Sequence, residues 1–223
     1  MKTFKFSLMA VLFSITFLAA KSQEKDINKI KTSIEVLTEF SKMKENIPEK
    51  LFNTTEGIII IPKMINAGLG VGGKRGKGLA IVKNADGSWS NPVFVTITGG
   101  SIGFQAGVQS VDLVLIFKHR ETLENIGKGT FTLGGDASVT AGPIGRNSSA
   151  STDYKLDAEV YSYSKSKGLF GGISLDGSSL HVDKKANNSF YGNEEDAKTL
   201  FASGNKNNSA ETASLKKRLK GMF

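Results

Sequence analysis

Residues 57–83 read GIIIIPKMINAGLGVGGKRGKGLAIVK, and the fold turns on this stretch. Its ends, residues 58–61 and 79–83, are runs of β-branched and apolar side chains with the length and composition of strands. Between them glycines stand at 68, 70, 72, 73, 76 and 78. Glycine weakens a flat strand, so this density predicts bends, bulges or close backbone approach in a strongly curved sheet or partial barrel.

The same pattern continues outward. Residues 93–98, 113–118, 131–140, 156–164 and 169–175 read as further strands. Asp86-Gly87 and Asp176-Gly177 mark hairpin turns, each placing a glycine where positive φ is needed. Short helices are expected at 120–126 and 193–202. Upstream, Ile27, Ile30, Ile34, Leu37, Phe40, Met43 and Ile47 recur at intervals of three and four, which predicts an amphipathic helix over 25–47. Pro48 suits the first turn of a second, short helix carrying Leu51 and Phe52. Helix, many strands, then helix is the order of an α+β fold. The expectation is an N-terminal amphipathic helix, then a strongly curved, mostly antiparallel, glycine-rich β-sheet or partial barrel with short helices.

Residues 1–22 fall outside this grammar. Lys2 and Lys5 precede an apolar run of about 15 residues that ends in small side chains. The run is shorter than the roughly 20 residues of a membrane-spanning helix. It reads as an export signal cut before Gln23, with cuts after Ala19 or Ala20 as near alternatives. No cysteine occurs anywhere, so disulfides, thiolate metal sites, cysteine nucleophiles and a lipid-modified N-terminal cysteine are excluded. The expected organisation is a signal peptide at 1–22, a single domain at 23–203 and a flexible cationic tail at 204–223. The formal charge of +8 loses Lys2, Lys5 and Lys21 with the leader, leaving +5, a balance that favours anionic partners. A periplasmic or secreted location follows from the leader, and peripheral membrane association is expected from the cations at 74–77 and 216–220.

Two glycine motifs look catalytic in isolation. Gly68-Leu69-Gly70-Val71-Gly72-Gly73 matches the dinucleotide pattern, but it continues into Lys74-Arg75-Gly76-Lys77-Gly78, a poor helix start, and no acid follows at the required distance. Gly99-Gly100-Ser101-Ile102-Gly103 matches a nucleophile elbow, yet the chain has two histidines, His119 and His181, and strand-like sequence follows where a helix is needed. A hydrolase working through Ser101 therefore ranks third among the readings. The histidines form no zinc spacing. Neither a catalytic residue, a metal nor a cofactor is expected.

Lys74, Arg75 and Lys77 crowd one glycine-rich segment, read as a turn able to hold a phosphate or sulfate head group. Each such cation near an anionic surface contributes about 1 kcal/mol, giving weak, salt-sensitive attachment. Lys216, Lys217, Arg218 and Lys220 in the tail are expected to add avidity. Nucleic acid is not expected as a partner, because the aromatics do not interleave with these cations.

Over residues 47–192 the sequence resembles the SYLF lipid-binding domains, whose yeast members also bind actin. The resemblance rests on ordered stretches: 57–62 (GIIIIP), 67–76 (AGLGVGGKRG), 89–92 (WSNP), 100–107 (GSIGFQAG), 112–115 (DLVL), 141–146 (AGPIGR), 161–164 (YSYS) and 167–170 (KGLF). It implies a non-enzymatic module that binds anionic lipid, phosphoinositides in eukaryotic members. In an exported protein another anionic envelope lipid is the expected ligand and actin is not an expected partner. The alternative is a structural or interaction protein of the cell envelope that binds a protein or glycan. Trp89, two positions past the Asp86-Gly87 turn, is expected to pack in the core rather than stack on a ligand.

Overall fold

The structure is a computed structural model that describes residues 23–42, 47–143, 156–192, 196–202 and 209–223. The leader at 1–22, the stretch at 144–146 and the side chain of Ser101 lie outside the described residues. Helix α1 covers residues 23–41. Then come α2 (Glu49–Asn53), β1 (Gly57–Val82), β2 (Val93–Phe117), α3 (Arg120–Glu124) and a 3-10 turn (Asn125–Lys128). Strands β3 (Phe131–Thr132), β4 (Val139–Ala141), β5 (Val160–Ser166), β6 (Leu169–Gly172) and β7 (Ser179–Val182) follow. Helices α4 (Lys184–Tyr191), α5 (Ala197–Ala202) and α6 (Ala210–Lys220) complete the chain.

The fold is α+β, as the pattern predicts, and its sheet is antiparallel except where β4 runs parallel to β5. The glycine-rich segment, however, is not a turn. Strand β1 runs through it for 26 residues and pairs with the 25-residue β2 from Gly57 opposite Phe117 to Ala80 opposite Val93. The two are joined across a turn in which Gly87 takes φ +79°. Register shifts between Ile61 and Met64 and between Leu69 and Gly70 bend this ribbon. It doubles over near residues 68–72: a Cβ on Gly72 would strike the Ala67 carbonyl, and one on Gly78 would strike the Ile60 carbonyl. The glycines thus let two backbones meet within one strand, closing the sheet into a half-barrel.

Around this ribbon the smaller strands divide. The first part of β2, Val95 to Thr98, pairs with β7, which carries β3 at its far edge. The later part, Asp112 to Phe117, pairs with β5, flanked by β4 and β6. Side chains alternate across β1, and both faces are covered. Ile58, Ile60, Leu79 and Ile81 enter one core with α1, α2, α4 and α6, while Ile59, Ile61, Ala80 and Val82 enter a second with α3 and α5. Two-sided burial explains the unbroken run Ile58 to Ile61, since each such side chain contributes about 1.5–3 kcal/mol when removed from water.

The C-terminal segment departs from the expected flexible tail. Ser209 caps α6 by accepting from the Thr212 amide, and Leu215, Leu219 and Met222 are buried. Phe223 lies against Trp89 and Phe52, with ring centroids 5.8 Å and 5.3 Å away. The apolar spacing of four and three residues turns one side of the helix inward despite its cations. Helix α1 also ends earlier than the 25–47 expected, at 41, and residues 43–46 lie outside the described set. Pro48 caps α2 rather than entering its first turn.

Trp89 is 3% exposed and packs as expected. Trp89→Ala is expected to cost about 3–5 kcal/mol, read as a lowered denaturant midpoint. An unchanged midpoint would remove Trp89 from the core that α6 seals.

Candidate functional site

Strand alternation separates Lys74 from Arg75 and Lys77 in the glycine-rich segment. Lys74, at 8% exposure, turns inward and its ammonium donates to the Ser174 carbonyl at 3.1 Å. Burial holds that ammonium below the ordinary lysine pKa, with Asp176 opposing the shift. Arg75 is exposed, opposite Thr98. Lys77 forms an ion pair with Asp183 at 2.6 Å. The three therefore do not make one cationic turn.

The tail cations ride on the docked α6. Lys216 is half-buried and donates to Asn91 Oδ1 at 3.0 Å, and burial lowers its pKa. Lys217 and Lys220 are exposed and Arg218 partly so. They add positive charge to a fixed helix, not to a tether.

What the fold does assemble around Lys77 is a cleft of about 580 Å³ between α1, β1 and the start of α4. Lys25 and Lys29, one helical turn apart on α1, reach it together with Lys63, Lys77 and Lys185. Lys63 is aimed there by the bulge after Pro62: its φ is +51°, and its amide donates to Asp112 Oδ1 at 2.9 Å. That left-handed backbone is uncommon for a side-chain-bearing residue. The acids of the cleft are Asp26 and Asp183. Asp183 also caps α4 by accepting from the Ala186 amide at 3.2 Å. Of these seven groups only Lys77 was visible as a site residue in the sequence. The others come from three distant segments, and only the Lys25–Lys29 spacing left a local trace.

A second surface lies where the ribbon doubles over. Leu69, Val71 and Val108 are exposed at 79%, 77% and 73%, and Ile65 at 44%. The register sets Ala67 opposite Val108, so Ile65, Leu69, Val71 and Val108 fall on the same doubled-over part of the ribbon. Leu169, also exposed, follows the Lys167–Gly168 turn between β5 and β6. No local pattern distinguishes these side chains from core residues, because exposure at the bend depends on tertiary geometry.

The motifs set aside in the sequence take other roles. Gly68 to Gly73 lie within β1 and no helix follows them. His181 Nε2 lies 3.2 Å from the Thr98 hydroxyl, while His119 faces Glu159 at 3.7 Å, so the histidines belong to separate surroundings.

A sequence profile described as "Ysc84: Las17-binding protein actin regulator" matches residues 98–222. "LAS seventeen-binding protein 3" of Saccharomyces cerevisiae is 34% identical over 185 residues, covering 82% of this chain and 40% of its own. "SH3 domain-containing YSC84-like protein 1" of Bos taurus is 36% identical over 172 residues, covering 77% of this chain and 50% of its own. "SH3 domain-containing protein PJ696.02" of Schizosaccharomyces pombe is 36% identical over 185 residues, with 82% and 43% covered. The chain thus spans half or less of the length of these relatives.

Lys74→Met, which keeps the aliphatic stem and removes the amine, is expected to change stability by less than about 1 kcal/mol. Loss of one hydrogen bond is offset by relief of burying a charge. Vesicle attachment should be unchanged. Lost attachment at an unchanged melting temperature would return Lys74 to the lipid contact.

Proposed function

This chain belongs to the Ysc84 family, and on that premise we propose that it is a non-enzymatic module that attaches peripherally to anionic lipid surfaces. The observation that carries the reading is the apolar bend of the ribbon. Leu69, Val71, Val108 and Ile65 stand in solvent on a closed, well-packed body, and contiguous exposed apolar groups mark interaction or membrane surfaces. Each such side chain contributes about 1.5–3 kcal/mol if taken out of water at an interface. Exposed Arg75 on the same strand and Lys167 at the β5–β6 turn add about 1 kcal/mol each near an anionic surface. Insertion supplies the affinity and charge supplies the preference.

A second reading rests on the relatives' names, which tie them to Las17 and to SH3 domains. Under it the same bend is a protein interface. Because the chain spans half or less of those relatives, their whole activities are not transferred to it.

The two readings separate in flotation with vesicles of graded anionic content. Wild-type protein should float in proportion to anionic lipid and detach as salt rises. Leu69→Glu/Val71→Glu should abolish flotation, while stability moves by less than about 0.5 kcal/mol because both side chains are solvated. Attachment indifferent to anionic lipid, to salt and to this double substitution would leave the protein-interface reading.

We also infer that residues 1–22 are an export signal and that the protein works in the periplasm or outside the cell. N-terminal sequencing of protein from the exported fraction should begin at Gln23. Intact Met1 on exported protein would show the leader to be retained as an anchor.

A further inference from the structure

We propose that the lysine-walled cleft between α1 and α4 is a binding site for a phosphate monoester dianion. Three lysines enter it: Lys29 from α1, Lys63 from the bulge after Pro62 early in β1, and Lys77 from late in the same strand. Lys25 and Lys185 add two more charges at its edges. Against these five cations stand two carboxylates. Asp183 is already committed, to Lys77 and to the cap of α4. Burial raises the Asp26 pKa against a side-chain hydrogen bond with Ser189, and its Oδ2 is buried without a hydrogen-bond partner among the described residues. Lys77 is the cleft lysine with a carboxylate within 4 Å among the described residues.

The cations are close enough to repel one another. Burial is the first cause lowering the Lys29 pKa, the charges of Lys77 and Lys63 push it the same way, and Asp26 and Asp183 oppose them. With five lysines against two carboxylates, the half-enclosed cleft keeps a net positive potential that favours an entering anion. Lysine ammonium groups are compact point charges suited to phosphate oxygens. A doubly charged monoester, with three acceptor oxygens, matches several ammonium groups better than a singly charged diester. The cleft, at about 580 Å³, exceeds a bare phosphate, and Pro62 and Phe94 give it an apolar wall for the esterified group. The phosphate can come from a soluble metabolite or from a lipid head group, which the chemistry of the cleft alone does not separate.

The site is independent of the apolar bend. The test titrates the full chain with glycerol 3-phosphate, following melting temperature and heat of binding, with sodium chloride at matched ionic strength as the reference. Glycerol 3-phosphate should stabilise the protein and chloride should not. Lys29→Gln/Lys63→Gln should weaken binding by roughly thirtyfold, from two cations lost. Its unliganded form should melt near wild type, because neither lysine has a carboxylate within 4 Å among the described residues. Lys217→Gln/Lys220→Gln, which removes the same charge from α6, should bind as wild type. Leu69→Glu/Val71→Glu should also retain binding, so failure of the membrane reading leaves this one standing.

A second arm compares vesicles carrying phosphatidic acid, a monoester, with vesicles of phosphatidylglycerol at equal surface charge. Preference for phosphatidic acid that disappears in Lys29→Gln/Lys63→Gln assigns the site to a lipid head group. Soluble binding without that preference assigns it to a free phosphate ester. No stabilisation beyond chloride, or equal binding by the Lys29→Gln/Lys63→Gln variant, overturns the proposal.

Discussion

Two halves of one strand meet backbone to backbone where Gly78 lies against the Ile60 carbonyl, and the rest of the structure is arranged around that contact. Any side chain at 78 would hold the halves apart. With them in contact, the long ribbon of β1 and β2 becomes a half-barrel whose two faces both need covering. One face takes α1, α2, α4 and α6, the other α3 and α5. Bringing the ends of β1 together also sets Lys63 and Lys77 on one cleft although 14 positions separate them in sequence. The same folding leaves Leu69, Val71 and Val108 at the bend exposed.

Much of the architecture was legible because it is written in local periodicity. The helix of Ile30, Leu37 and Phe40, the hairpin turn at Gly87 and the burial of Trp89 all follow from residue spacing and backbone preference. Gly177, by contrast, takes positive φ in a turn whose flanking strands β6 and β7 pair elsewhere, not in the expected hairpin. The glycine density correctly indicated curvature. It did not reveal that strand pairing runs unbroken through the glycines, because continuity depends on partners in β2 that a local reading does not see. At the other end, four cations among residues 216–220 obscured an apolar repeat of the same kind as that in α1.

The candidate sites were far less readable. Lys74, Arg75 and Lys77 look alike as a cluster, yet a strand sends neighbours to opposite sides, one into a hydrogen bond with Ser174 and one into an ion pair with Asp183. Their family resemblance carried the fold and the class of protein, and gave no account of which cations converge. Lys29, Lys63 and Lys185 are unremarkable in sequence and acquire meaning only once α1, the bulge and α4 are brought side by side.

The seating of α6 bears on when the molecule can become native. Phe223 and Met222 close over Trp89 and Phe52, which belong to the first half of the chain. A chain emerging from its amino end therefore holds this part of the core open until residues 215–223 are free. Domains usually fold as they emerge, from the amino end onward; here that vectorial order stalls short of completion. Until then Trp89 and Phe52 lack the aromatic cover that Phe223 supplies, and exposed apolar surface of that kind is what makes an incompletely folded chain prone to association.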